Sequence, residues 1–222
     1  MTKLVEYNPE WKNFFKEESK KLKKNIGKNC LSVMHIGSTA VRGALAAPIV
    51  DMLVVVKDDN LLEITCAILE DMNYVEQGNV FFKECTNISY SVRLVNKKNE
   101  EEYTKYISVV HYLENDKKIL DEFNKKKQEI YDMTDENKYT EERKNFFNDL
   151  QVKAINWNKE QEHITECTSI GMCLGMSMGL LFFDSMVTGM LAGLLIGYLI
   201  GKFGNKEIDL DKDIDFKFGK KK

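Results

Sequence analysis

The chain has 222 residues, 43% hydrophobic and 30% charged, enough to bury one real core and carry an appendage. A formal net charge of −3 with no basic face argues against nucleic acid as a partner. Five cysteines (Cys30, Cys66, Cys85, Cys167, Cys173) form no CxxC pair and predict neither a zinc nor a disulfide framework; with no apolar secretion segment in the first residues, they point to a reducing cytoplasm.

Residues 3–7 predict a short lead-in strand or extended arm. Asn8-Pro9 then opens a helix whose apolar positions are Trp11, Phe14, Phe15, Leu22 and Ile26, with Gly27 as its C-cap. Leu31–Ile36 predicts a strand ending at Gly37-Ser38, residues 39–47 a turn or short helix, and residues 48–56 a central, fully buried strand. A helix follows over 60–72. Short strands are expected at Tyr74-Val75 and at Val80–Lys83, and a cleanly alternating one at Ile88–Val95. Tyr103–Leu113 reads as a further strand, and residues 116–132 and 140–163 as helices. The order implies an α+β fold, a mixed sheet with flanking helices, with neither the regular βαβ alternation nor the Gly-x-Gly-x-x-Gly turn of a dinucleotide fold.

Near residue 165 the composition changes. Between Ser169 and Gly201 the sole charged residue is Asp184, and glycines recur at 171, 175, 179 and at 189, 193, 197, 201. Steps of four place them on one stripe of a helix, where backbones approach closely. The two sets flank Phe183-Asp184-Ser185-Met186, a natural turn, so 168–203 reads as a Gly-rich helical hairpin following a domain at 1–163, with 204–222 a charged tail. Three readings of the hairpin stand: membrane association through 169–201, self-association through the same stripe, or packing on the domain. The cost of glycine in a water-exposed helix, ~1 kcal/mol each relative to Ala, favours the first two. Helices over 170–183 and 185–201 reach ~21 and ~26 Å, short of a ~30 Å hydrocarbon core.

The chemistry concentrates in His35-Ile36-Gly37-Ser38-Thr39-Ala40-Val41 and Pro48-Ile49-Val50-Asp51. A Gly-Ser turn lets backbone N–H groups and a hydroxyl approach a phosphate. Asp51 is a charge inside an apolar strand, which demands a partner: a cation, a hydrogen-bond network, or a metal such as Mg²⁺. Thr39 reads as a ligand donor or a helix cap, Arg42 as a phosphate contact or a solvated loop arginine, and His35 as a site-orienting or a satisfied strand-end histidine. Lys83 and Arg93 read as surface cations or as the lining of a basic pocket.

These segments, with the opening Val5-Glu6-Tyr7-Asn8-Pro9-Glu10-Trp11, resemble the GrpB family of the nucleotidyltransferase superfamily over about residues 3–160. Looser echoes lie at Phe81-Phe82-Lys83, Glu122–Ile130 and Lys138–Lys144. The resemblance implies a nucleotidyltransferase-like fold and transfer of a nucleotidyl group from a nucleoside triphosphate to an acceptor. Gly37, Ser38, Thr39 and Arg42 would then bind the nucleotide, and Asp51 would act as catalytic carboxylate and Mg²⁺ ligand. The chain departs from the family pattern at Arg42 (usually Pro), Ala47 (Lys), Tyr106-Ile107-Ser108 (a His-x-His on a later strand) and Leu53, where the superfamily's second acid falls. The alternative is a non-catalytic binding or scaffolding module, tethered to a membrane or to copies of itself by the hairpin.

Overall fold

The computed structural model describes residues 3–57, 62–86, 88–182 and 184–204. The chain divides into two compact units, Met1–Ile155 and Asn156–Lys222.

The first unit is α+β, built on a five-stranded mixed sheet in the order β1-β2-β5-β4-β3, comprising β1 (Cys30–Ile36), β2 (Ile49–Val56), β3 (Val75–Gln77), β4 (Val80–Lys83) and β5 (Ser89–Asn96). β2 and β5 run parallel and every other pair is antiparallel. β2 is flanked by strands on both edges and covered on both faces, which is why it tolerates an almost unbroken run of β-branched and aliphatic residues. On one face Val50, Met52, Val54 and Val56 pack with Trp11, Leu22 and Ile26 of α1 (Trp11–Ile26) and Leu69 of α2 (Leu62–Asp71). On the other, Leu53 packs with Ile36 and Val95 under Tyr103 and Tyr106. Alternation along β2 therefore sends Asp51 to the same face as Leu53 and away from α1. The lead-in segment is an isolated bridge between Val5 and Ala46 rather than a strand. Positions 60 and 61 of the expected second helix lie outside the described residues.

The expected strand at Tyr103–Leu113 is a helix, α3 (Glu100–Asn115). Its start is capped by Asn99: the side-chain oxygen accepts from the Glu102 N–H and the side-chain amide donates to the Glu102 carboxylate, and Glu100, Glu101 and Glu102 fill the first turn. Val109 and Leu113 are buried on one stripe four apart, so helical packing overrides the local β propensity. α4 (Lys117–Tyr131) follows, its N-terminus capped by Asp116. The helix expected over 140–163 and the first arm of the expected hairpin are one element, α5 (Glu136–Phe182). Val41 and Ala44 pack with Val109, Leu113, Phe123, Leu150 and Ala154, which seats the loop after β1 against α3, α4 and the beginning of α5.

In the second unit, the end of α5 and α6 (Met186–Phe203) lie antiparallel, backbone against backbone. Asp184 takes a left-handed conformation (φ 50°) and Ser185 caps α6 by accepting from Thr188 N–H; Phe183 lies outside the described residues. A Cβ on Gly171 would be 2.8 Å from Gly197 Cα, on Gly175 2.8 Å from Gly193 Cα, and on Gly179 2.8 Å from Gly189 Cα. The glycine stripes thus face each other within one chain. The larger apolar side chains point out: Leu181 is 76% exposed, Phe182 68%, Leu174 62% and Leu195 61%. Along the seam runs a groove of about 420 Å³ with a glycine floor and walls of Ile170, Leu174, Met178, Ile196 and Ile200.

Candidate functional site

β1 ends at Ile36, whose partner across the sheet is Asp51, so the turn leaves the sheet directly beside that carboxylate. Gly37 adopts φ +71°, and a Cβ there would meet Asp51 Oδ2 at 2.5 Å. No other residue satisfies both the left-handed backbone and the close approach. On the opposite side, β5 places Ser91 in register with Asp51, and the Ser91 hydroxyl donates to Oδ1 at 2.6 Å. Asp51 keeps a partly accessible edge, while packed protein desolvates the rest of it. That burial holds its carboxyl above the ordinary value, against the Ser91 bond and the fields of Arg93, Lys127 and Arg143.

The loop from Ser38 to Ala46 is fastened by α4. Asn124 accepts from Leu45 N–H (2.7 Å) and donates to Gly43 O (2.9 Å). One turn later, Lys127 Nζ donates to Ser38 Oγ (2.7 Å) and Leu45 O (2.9 Å) and lies over the Phe123 ring. Burial pushes its ammonium down to about 8, with Asp51 opposing and Arg143 reinforcing the shift. No carboxylate of the described residues comes within ion-pair distance of it. Lys127 thus holds a partly buried charge whose direct partners are all neutral, a costly arrangement for a cation.

Of the residues singled out in the sequence, Gly37, Ser38 and Asp51 meet at this site. Thr39 is buried, and its hydroxyl donates to Ile49 O at 3.0 Å. With that proton committed, the Thr39 oxygen accepts from His35 Nε2 at 3.1 Å, which places a proton on Nε2. His35 stacks on Phe15 of α1 (4.7 Å between centroids), on the sheet face away from Asp51, and burial pushes it down to about 4. It shapes the turn from behind. Arg42 is exposed at the loop tip. Arg93 lies on the Asp51 face, over the Tyr106 ring. Lys83 serves a separate network, donating to the buried Glu18 (3.0 Å), which also accepts from Lys21 (2.8 Å) and Tyr74 (3.1 Å). Those cations outweigh burial and hold Glu18 below its ordinary value.

Because α3 is a helix, Tyr106 and Ser108 do not lie on the strand beside Asp51; that strand is β5, and it presents Ser91 and Arg93. Leu53, at the position of the expected second acid, is fully buried against Ile36 and Val95. Among the described residues no cluster of three or more His, Cys, Asp or Glu side chains forms. One desolvated carboxylate facing an excess of cations is a poor donor set for Mg²⁺, which requires hard oxygen ligands and a negative surround. Lys127, Asn124 and Ser91 were not singled out from the sequence. Lys127 carried a signal: it falls on the apolar stripe of α4 defined by Leu120, Phe123 and Ile130.

Comparison with known proteins places this architecture. The chain is similar to the solved structure of the conserved protein GrpB from Enterococcus faecalis, with a TM-score of 0.61 and 25% identity, covering 70% of this chain and 99% of that one. It is 26% identical over 160 residues to the glutamate-rich protein GrpB of Alkalihalophilus pseudofirmus, covering 66% of this chain and 92% of the relative. Shorter matches are 46% identity over 55 residues with UPF0157 protein BH1888 of Halalkalibacterium halodurans and 39% over 54 residues with UPF0157 protein YqkA of Bacillus subtilis. These two alignments span 28% and 16% of the relatives' own lengths. The profile described as GrpB protein matches residues 1–153, and the chain belongs to the GrpB family.

Proposed function

We propose that the GrpB domain of this chain binds a phosphate-bearing small molecule, with nucleoside triphosphates as the first class to test, and that the hairpin holds it at a membrane. The observation that carries the ligand reading is Lys127, a partly buried ammonium with only neutral direct partners, set against the hydroxyl of the Gly37-Ser38 turn. A phosphate oxygen would give Lys127 its missing counter-charge and accept from Ser38, while Asp51 would accept a hydrogen bond from a hydroxyl of the ligand. This supports a binding module over a nucleotidyltransferase: transfer would ask Asp51 alone to do the work of a carboxylate pair, because Leu53 stands in the second position. Calorimetric titration of the full chain, in detergent, with ATP, GTP, CTP and UTP tests the reading. Micromolar to millimolar binding weakened by Ser38→Ala supports it, and no heat with any of the four overturns it.

The tether reading rests on the second unit. Two helices, Glu136–Phe182 and Met186–Phe203, are long and apolar enough to cross a membrane. Their glycine faces are occupied by each other, which leaves Leu174, Leu181, Phe182 and Leu195 facing outward. Hydrocarbon is the environment that suits such a surface, and Asp184 sits at the tip, where it can reach a headgroup layer. Flotation of the full chain with phospholipid vesicles is the check. Recovery in the top fraction, resistant to high salt, is expected; a chain left at the bottom as a monodisperse aqueous species contradicts the tether.

A further inference from the structure

We infer that the phosphate site of this domain is metal-independent, its anion neutralised by Lys127, Arg143 and Arg93 in place of a divalent cation. The inference rests on the phosphate-ligand reading above and goes beyond it by assigning the counter-charge.

A dication at a phosphate site is held by carboxylates and in turn neutralises phosphate oxygens. Here the acidic side has shrunk to Asp51, whose Oδ1 already accepts from Ser91 and whose Oδ2 lies against Gly37. Leu53 supplies aliphatic packing where a second ligand would stand. The cationic side comes from three different elements. Arg93 projects from β5 on the Asp51 face; Lys127 comes from α4 and bonds the turn hydroxyl; Arg143 lies one turn after Tyr139 on α5, and the Tyr139 ring meets Tyr131, one turn after Lys127 on α4. Three cations around one carboxylate leave a surplus of positive charge. That surplus repels Mg²⁺ and attracts a phosphate or pyrophosphate group directly, with the forked guanidinium groups suited to bidentate contact.

The half-buried phenols Tyr131 and Tyr139 meet edge to face at 5.5 Å. Tyr131 is pushed up to about 12 by its burial, so it stays neutral and contributes no negative charge to offset the surplus.

Titration of the full-length protein in detergent with pyrophosphate and with ATP, each in EDTA and each in Mg²⁺, decides the matter. The expected result is binding in EDTA, at most threefold weaker than in Mg²⁺, that falls at least tenfold in Lys127→Met. Arg143→Gln alters an exposed side chain and leaves the fold intact; a three- to tenfold loss in EDTA is expected for it, so the outcome does not hinge on Lys127→Met folding. Binding seen in Mg²⁺ and lost in EDTA overturns metal independence and leaves the phosphate-ligand reading standing. Absence of binding under both conditions overturns that reading itself. Binding in EDTA unchanged by both substitutions overturns the assignment of these cations.

Discussion

The two units of this chain reach close packing by opposite means. In Met1–Ile155, large side chains fill the space between elements: Trp11, Leu22, Met52 and Leu69 are almost fully enclosed, and polar groups in the interior are bonded in pairs or networks. In Asn156–Lys222, side chains are removed from the interface, and the buried residues of α6 are Gly189, Gly193, Gly197 and Gly201. Aliphatic and aromatic groups line the outside instead. The first arrangement gains stability from apolar area withdrawn from water. The second withdraws little apolar area, so its stability comes from close backbone contact, and it suits a surround that is itself apolar. The contrast teaches that the same sequence feature, a small residue, has opposite meaning in the two regions.

Substitutions at glycine break this contrast most sharply. Gly193→Leu would drive a side chain into the Gly171 carbonyl and the Gly175 backbone, and should separate α5 from α6 at a cost of ~3 kcal/mol. Gly204→Ala, where the nearest outside atom is 3.7 Å away, should be neutral or slightly stabilising. Thermal scans of both variants in detergent read the difference, and equal behaviour would contradict the packed hairpin. The first unit should fail through polar networks. Glu18→Ala removes the shared partner of Lys21, Lys83 and Tyr74 and should cost ~3 kcal/mol, measured by urea unfolding at neutral pH.

The pH dependence belongs to the first unit. His35 is held near 4 in the folded state against 6.5 unfolded, so the unfolded chain binds the proton first. Stability is therefore full above pH 6.5 and declines as pH falls toward 4, by about 2 kcal/mol between pH 7 and 4.5. Glu18, whose folded value is lowered, adds a second loss below its unfolded value of 4.5, as pH falls through its folded value. Urea midpoints across pH 4–7, with His35→Gln as the variant that flattens the upper slope, test the assignment. The smallest effect expected is at the loop clamp: Asn124→Ala leaves Leu45 N–H and Gly43 O without their partner and should cost ~1 kcal/mol. Amide exchange should rise at Leu45 with the core strands unchanged.

What was readable in the sequence follows the range of the interactions involved. β1, β2 and the turn between them were legible because apolar runs and a Gly-Ser pair are local signals. The glycine stripes were legible because their period is the helix's own. α3 was misread as a strand because Tyr103, Ile107, Val109 and Val110 favour strands, while the deciding signals were the Asn99 cap on Glu102 and the burial of Val109 and Leu113. At the site, Gly37, Ser38 and Asp51 were visible as a unit because they lie close in the chain. Lys127 sits among Lys125 and Lys126; the stripe of Leu120, Phe123 and Ile130 sets it apart from them, but its contact with Ser38 depends on the docking of α4. Arg93 was noticed as a basic residue, but its face of the sheet depended on register with β2.

The loop between β1 and β2 takes its shape from a helix some 80 residues further along the chain. Closing so long a span carries an entropic cost that must be met before the contacts form. The sheet and α1 can assemble from nearer neighbours, whereas the Ser38–Leu45 loop waits for α4 to arrive. In the order of folding this loop is accordingly a late product. A chain interrupted before Asn124 would keep the strands that carry Asp51 and Ser91 and still lack the ammonium that gives the turn its charge.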